Sequence, residues 1–220
     1  MKTIRNLTTA LACIAGLAGL TACTSSTSAT AETGSDTTIV STENLPENQA
    51  TAIFAMGCFW CAESDFEKVD GVVDVVSGYT GGKLKNPTYE QVTYDETGHY
   101  EAILVTYDKT KLSYDDLLKV FWRNVDPFDA RGQFCDKGTS YLSAVFPGND
   151  EEAKAAEASK ERWEEHFGRE IVTAVVDRAD FYAAEEYHQD YYSKNPVRYS
   201  YYRNGCRRDA RLKAVWGAAK

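Results

Sequence analysis

The run Thr51-Ala52-Ile53-Phe54-Ala55-Met56 stops at Gly57-Cys58, and a helical pattern begins immediately beyond it. The short apolar run reads as a buried strand. Phe59, Ala62, Phe66 and Val69 then recur at helical spacing, with Glu63, Asp65, Glu67 and Lys68 between them. The order is strand, glycine, cysteine, helix. A cysteine at the start of a helix sits where unpaired backbone N–H groups and the helix dipole favour negative charge, so its thiolate is expected to be stabilised.

Further elements follow the same logic. The β-branched residues of 72–79, before Thr80-Gly81-Gly82, predict a second strand, and alternation over 100–107 a third. Residues 113–125 open with Ser113 and Asp115-Asp116 and bury Leu117, Leu118, Phe121 and Trp122, a helix with its start signal in place. Residues 144–146 and 171–176 are strand candidates, 149–167 an exposed amphipathic helix, and 181–192, with aromatics at helical intervals, another short helix. Strands interleaved with helices but joined by long irregular loops indicate an α+β domain of two layers, a mixed sheet with flanking helices.

The N-terminus carries a different signal. Lys2 and Arg5 precede an uncharged apolar stretch that ends in Leu20-Thr21-Ala22-Cys23, which resembles the bacterial lipobox. Residues 1–22 are therefore expected to be a lipoprotein signal peptide, Cys23 the lipidated residue, and 23–49 a polar tether. Residues 50–220 then form one domain, with a mobile tail from about 197. The address is extracytoplasmic, on a membrane facing the periplasm. Of the 24 Lys and Arg, Lys2 and Arg5 fall in the leader, which leaves 22 against 33 acidic residues and a formal charge of −11. So acidic a chain does not suit nucleic acid as a partner.

Cys58, Cys61, Cys135 and Cys206 remain in the domain. In an oxidising compartment two structural disulfides are one reading. Cys58-x-x-Cys61 alone is also compatible with a thioredoxin-like redox pair, a local disulfide or half of a zinc site. Zinc would need two more ligands, and Cys135, Cys206, His99, His166 and His188 offer no second short-spaced pair. His99 and His188 are expected to make structural hydrogen bonds, and His166 to lie exposed.

Several segments in order, Gly57-Cys58-Phe59-Trp60, Gly78-Tyr79-Thr80-Gly81-Gly82, Asn86-Pro87-Thr88-Tyr89, Thr97-Gly98-His99-Tyr100-Glu101-Ala102, Gly138-Thr139-Ser140-Tyr141 and Ala184-Glu185-Glu186-Tyr187-His188-Gln189, resemble the A-type peptide methionine sulfoxide reductases. The resemblance implies a ferredoxin-like plait and reduction of methionine S-sulfoxide, free or in peptides and proteins. It implies Cys58 as nucleophile, passing through a sulfenic acid, Glu101 as the acid, and Tyr89 and Tyr141 around the sulfoxide oxygen. Phe59 and Trp60 would form a pocket for the methyl group, and Asp136 would bind the peptide backbone. A thioredoxin-like reductant is implied, but no cofactor or metal; a monomer is expected. The alternation of Ile103 and Val105 also turns Glu101 inward, where a carboxylate must be protonated or paired.

Two departures bear on the resolving thiol. The family's motif continues with glycine where this chain has Cys61, and the family's glycine-rich tail is replaced by Arg203-Asn204-Gly205-Cys206-Arg207-Arg208-Asp209. Cys206 follows a turn signal and has three arginines nearby to favour its thiolate, so it leads, followed by Cys61 and then Cys135. Val125 stands where the family has histidine before Asp-Pro. The competing classes are a lipid-tethered disulfide oxidoreductase using Cys58 and Cys61, and a structural lipoprotein with two disulfides.

Overall fold

The computed structural model describes residues 38–42 and 44–217. The leader, Cys23 and the first part of the expected tether lie outside the described residues. Strand β1 (Gln49–Met56) leads through Gly57 into α1 (Phe59–Phe66), followed by β2 (Val72–Thr80), α2 (Tyr89–Tyr94), β3 (Tyr100–Asp108) and α3 (Tyr114–Arg123). A small hairpin, β4 (Gly132–Gln133) and β5 (Asp136–Lys137), precedes a 3-10 turn at Thr139–Tyr141 and β6 (Ser143–Phe146). The long α4 (Asp150–Phe167) is followed by β7 (Ala174–Val175), β8 (Tyr182–Ala183), a 3-10 turn at Glu186–His188, α5 (Tyr191–Lys194), α6 (Pro196–Gly205) and α7 (Arg208–Trp216).

The main sheet runs β7-β6-β1-β3-β2-β8, antiparallel throughout except for the parallel pair β6 and β7. Its four central strands, taken with α1 and α3, have the β-α-β-β-α-β order of a ferredoxin-like plait. Side-chain alternation divides β1 between two faces. Ala52, Phe54 and Met56 join Ile103, Val105, Phe66, Leu117 and Phe121 in the main core, while Ile53 and Ala55 pack with Leu104, Ala144, Phe146 and Phe181 behind the sheet. Phe54 stacks on Phe66 and Phe121, each with ring centroids 5.3 Å away. Burying one such ring contributes about 1.5–3 kcal/mol.

Helix starts match their side-chain signals. Ser113 caps α3 in a reciprocal capping box with Asp116, and Asn149 accepts from two backbone N–H groups of α4. Helix α2 was not anticipated, although Thr88 and Gln91 form a second capping box.

Three expectations need correction. The pattern over 171–176 suggests a full strand, but only Ala174–Val175 pairs. Residues 181–192 do not form one helix: the Gln189 side chain binds both backbone groups of Ser77 on β2 at 2.9 Å, and Asp190 takes a left-handed conformation (φ 52°). That anchorage breaks the helical path. The C-terminal tail is α6 and α7, with Tyr199, Arg208 and Leu212 buried. At the other end, Ala183 donates to the Thr38 carbonyl and Val40 to that of Phe181, so this part of the expected tether runs along the sheet edge.

Candidate active site

Gly57 has φ +77°, and a Cβ there would lie 2.5 Å from Gln133 Cβ. Only glycine allows both the turn and the approach of β4. Cys58 is consequently the residue that caps α1, its carbonyl accepting from Cys61 and Ala62. Another N–H of the first turn, that of Phe59, donates to Glu101 Oε2 at 3.0 Å. The helix start and the inward face of β3 thus meet at one carboxyl.

Glu101 is 2% exposed. Burial raises it to about 8, opposed by the Phe59 N–H and by the hydroxyl of Tyr141. Tyr89 and Tyr141 are both held above the ordinary tyrosine range, by burial first and then by the charge of Glu101. A proton-bearing carboxyl with two neutral phenols beside it is equipped to protonate an oxygen and to hydrogen-bond it.

Phe59 is buried against Tyr79, Tyr89 and His188. Trp60 is half-buried; its ring stacks on Tyr191 at 3.7 Å, and Tyr202 meets it edge-on. Its indole N–H donates to His188 Nδ1 at 3.0 Å, which fixes the neutral His188 ring with its hydrogen on Nε2. Burial pushes His188 down to about 4. Glu185 completes this wall by accepting from the Tyr79 hydroxyl and the Tyr89 N–H. His99 bonds to the Leu84 carbonyl and the Gly82 N–H, and His166 is exposed.

The cysteines are arranged differently from the sequence expectation. Cys135 and Cys206 form a disulfide, whereas Cys58 and Cys61 are both buried and free. Cys206 is thus joined to Cys135, and the free thiol on the same turn as Cys58 is Cys61. Burial raises the Cys58 thiol well above its usual range, with Cys61 and Glu101 adding to the effect and the Tyr202 hydroxyl opposing it. Cys61 is lowered to about 7, first by the hydrogen bond from Cys58, against burial, and then by Arg208 and Arg203. Position at a helix start does not by itself outweigh desolvation of Cys58. Among the described residues, neither thiol belongs to a group of three His, Cys, Asp or Glu side chains close enough to share a metal ion.

Asp136 is half-buried and accepts from the Tyr202 hydroxyl. Tyr202 was missed as a site residue because it lies in the segment read as a mobile tail. Its signal was available: Tyr199, Tyr202 and Cys206 fall at helical spacing on α6.

Residues 50–220 match the family model described as peptide methionine sulfoxide reductase. The chain is 49% identical over 166 residues to peptide methionine sulfoxide reductase MsrA 2 of Rhizobium meliloti, covering 76% of this chain and 83% of that protein. It is 46% identical over 176 residues to MsrA of Bacillus subtilis, covering 79% and 99%. Among solved structures, reduced Mxr1 from Saccharomyces cerevisiae is similar with a TM-score of 0.67 and 33% identity, over 73% of this chain and 94% of that one. The chain belongs to the peptide methionine sulfoxide reductase family.

Proposed function

We propose that this protein reduces methionine S-sulfoxide, in proteins and peptides and as the free amino acid, to methionine. The observation that carries the reading is the Phe59 N–H to Glu101 bond, which sets a protonated carboxyl against the helix start that bears Cys58. The Cys58 sulfur attacks the sulfoxide sulfur, while Glu101 gives its proton to the oxygen with Tyr89 and Tyr141 hydrogen-bonded beside it. The oxygen passes to Cys58 as a sulfenic acid and methionine leaves. Phe59 and Trp60 hold the methyl group, and Asp136 the peptide backbone.

In this reading Cys61, free on the same turn as Cys58 while Cys135 and Cys206 are bonded to each other, resolves the sulfenic acid ahead of Cys206 and Cys135. A thioredoxin-like dithiol then reduces the resulting disulfide by exchange. Incubating the reduced domain with each epimer of a methionine sulfoxide peptide and a dithiol tests the function: methionine should form from the S epimer only, and not at all with Cys58→Ser. A variant that still turned over would sink the mechanism.

The leader and Leu20-Thr21-Ala22-Cys23 support export and lipid anchoring at Cys23, which would place the domain outside the cytoplasm for repair of exported proteins. Cys23→Ser should move the protein from the membrane fraction to the soluble periplasmic fraction. Continued labelling by palmitate would refute the anchor.

A further inference from the structure

The arginines of the C-terminal helices serve a different cysteine from their sequence neighbour. Cys61 and Asp65 stand one turn apart on α1 and so share a face. Asp65 Oδ1 accepts from Arg203 Nη1 at 2.8 Å, and Asp65 Oδ2 lies 3.7 Å from Arg208 Nε. Arg208, at 2% exposure, directs its other nitrogens to uncharged groups, the carbonyls of Met56 and Asn124, and lies over the Phe134 ring. Its Nε has no hydrogen-bond partner among the described residues, and neither has Asp65 Oδ2.

The two arginines are not equally paired. Arg203 has a second carboxylate in Asp209, but that side chain is 60% exposed, whereas Asp65 is only 9% exposed. Arg203 nevertheless holds Asp209 through Nε and Nη2 at 2.6–3.2 Å, so it is Arg208 that lacks a hydrogen-bonded carboxylate, its one ion pair among the described residues being Asp65 at 3.7 Å. Uncompensated positive charge away from water is costly, and a negative sulfur beside it relieves the cost. The lowered position of Cys61, with Arg208 and Arg203 among its causes, agrees with this.

We infer that Arg208, held with Arg203 around Asp65, is a positioning residue that keeps negative charge on Cys61 and so makes Cys61 the sulfur that attacks oxidised Cys58. The inference rests on the proposed resolving role of Cys61. In the step, the Cys61 sulfur forms a bond to the Cys58 sulfur, the S–O bond of the sulfenic acid breaks, and the departing hydroxide takes a proton to leave as water. The other groups facing Cys61 are the Cys58 thiol on the same turn, Asp65, whose charge opposes a thiolate, Glu101, which opposes it once ionised above about pH 8, and Tyr199 on α6, raised to about 12 and therefore neutral. The arginines are the groups that favour the charge through space.

The test follows formation of the Cys58–Cys61 disulfide against pH, by rapid acid quench and peptide mapping after one equivalent of sulfoxide peptide, together with thiolate absorbance of the reduced protein. In wild type the rate should rise with pH as Cys61 gives up its proton. Arg208→Met should displace the profile upward by about one unit, slowing the step roughly tenfold on the acid side and recovering at higher pH. Arg208→Lys should keep the wild-type profile, and Asp65→Asn should move it to lower pH, a direction that damaged packing would not produce. A deficit in Arg208→Met that is the same at every pH, or an Asp65→Asn profile displaced upward, would overturn the inference alone. Wild-type enzyme that joins Cys58 to Cys135 or Cys206 would overturn the resolving role of Cys61 together with it.

Discussion

The hydroxyl of Tyr202 donates to Asp136 Oδ2 at 2.5 Å, and a covalent tie stands beside this contact: Cys206, one turn beyond Tyr202 at the end of α6, is bonded to Cys135, the neighbour of Asp136. Tyr202 also packs edge-on against Trp60. The α6 segment is clamped over Cys58 at two points, which agrees with the 6% exposure of that thiol.

Removing the hydroxyl should loosen that cover. A hydrogen bond to a charged group contributes about 1.5–3 kcal/mol, so Tyr202→Phe should speed deuterium exchange of the α6 amides roughly tenfold or more. Phenylalanine retains the packing on Trp60. Time-resolved deuterium labelling with peptide mapping reads the rate, and an unchanged rate would show that the Tyr202 hydroxyl does not hold α6 down.

Glu101 should impose a pH dependence on both activity and stability. The acid form is needed for protonation, so turnover limited by that step should fall as pH rises through about 8, and Glu101→Gln should be slow throughout. The stability effect has the sign of a carboxyl raised on folding. Between its ordinary value of 4.5 and about 8 the folded chain keeps a proton that the unfolded chain has lost. The stability contribution is therefore whole below the lower value and is lost progressively up to the higher. The variant has no such loss, so its stability relative to wild type should grow by a few kcal/mol across the window. Urea unfolding at about pH 5 and about pH 8.5 measures it; a constant difference would mean that Glu101 is ionised in the fold.

These features differ in how plainly the sequence announces them. The turn at Gly57-Cys58 and the inward face of Glu101 follow from local pattern, because a strand alternates and a helix starts where its periodicity does. Ser113 and Asn149 mark their helices for the same reason. Arg208 and Tyr202 were hidden because Asn204-Gly205 reads as a turn. Gly205 instead ends α6, and the reversal into α7 occurs at Arg207, with φ 55°. Pairing of Cys135 with Cys206 across 71 residues is a tertiary fact that no spacing rule supplies. Likewise, the aromatics of 181–192 have helical spacing, but side-chain bonds to Ser77 decide their path.

The join between α3 and α4 depends on one buried polar pair. Trp122 Nε1 donates to Ser159 Oγ at 2.5 Å, with Trp122 fully buried and Ser159 2% exposed. Ser159→Ala strands the indole N–H and should cost about 1–3 kcal/mol in urea unfolding. In the Trp122→Phe background the same serine change should cost less, since no donor is then left unpaired. Equal losses in both backgrounds would assign the effect to helix α4 alone.

Gly57→Ala tests whether the geometry at the helix start governs the chemistry. Gln133 cannot easily give way to the new Cβ: it is fully buried, its carbonyl oxygen accepts from the Asp126 N–H at 2.8 Å, and its amide donates to the Asp126 carbonyl at 2.9 Å. The methyl must therefore displace either β4 or the turn that carries Cys58. A non-glycine residue at positive φ costs about 1–3 kcal/mol even without a contact. Pairing the change with Gln133→Ala removes the 2.5 Å approach but not the backbone strain. The double variant should recover much of the methionine-forming rate lost in Gly57→Ala while remaining less stable than wild type. If activity and stability instead returned together, or neither returned, the collision with Gln133 would not be what sets the position of Cys58.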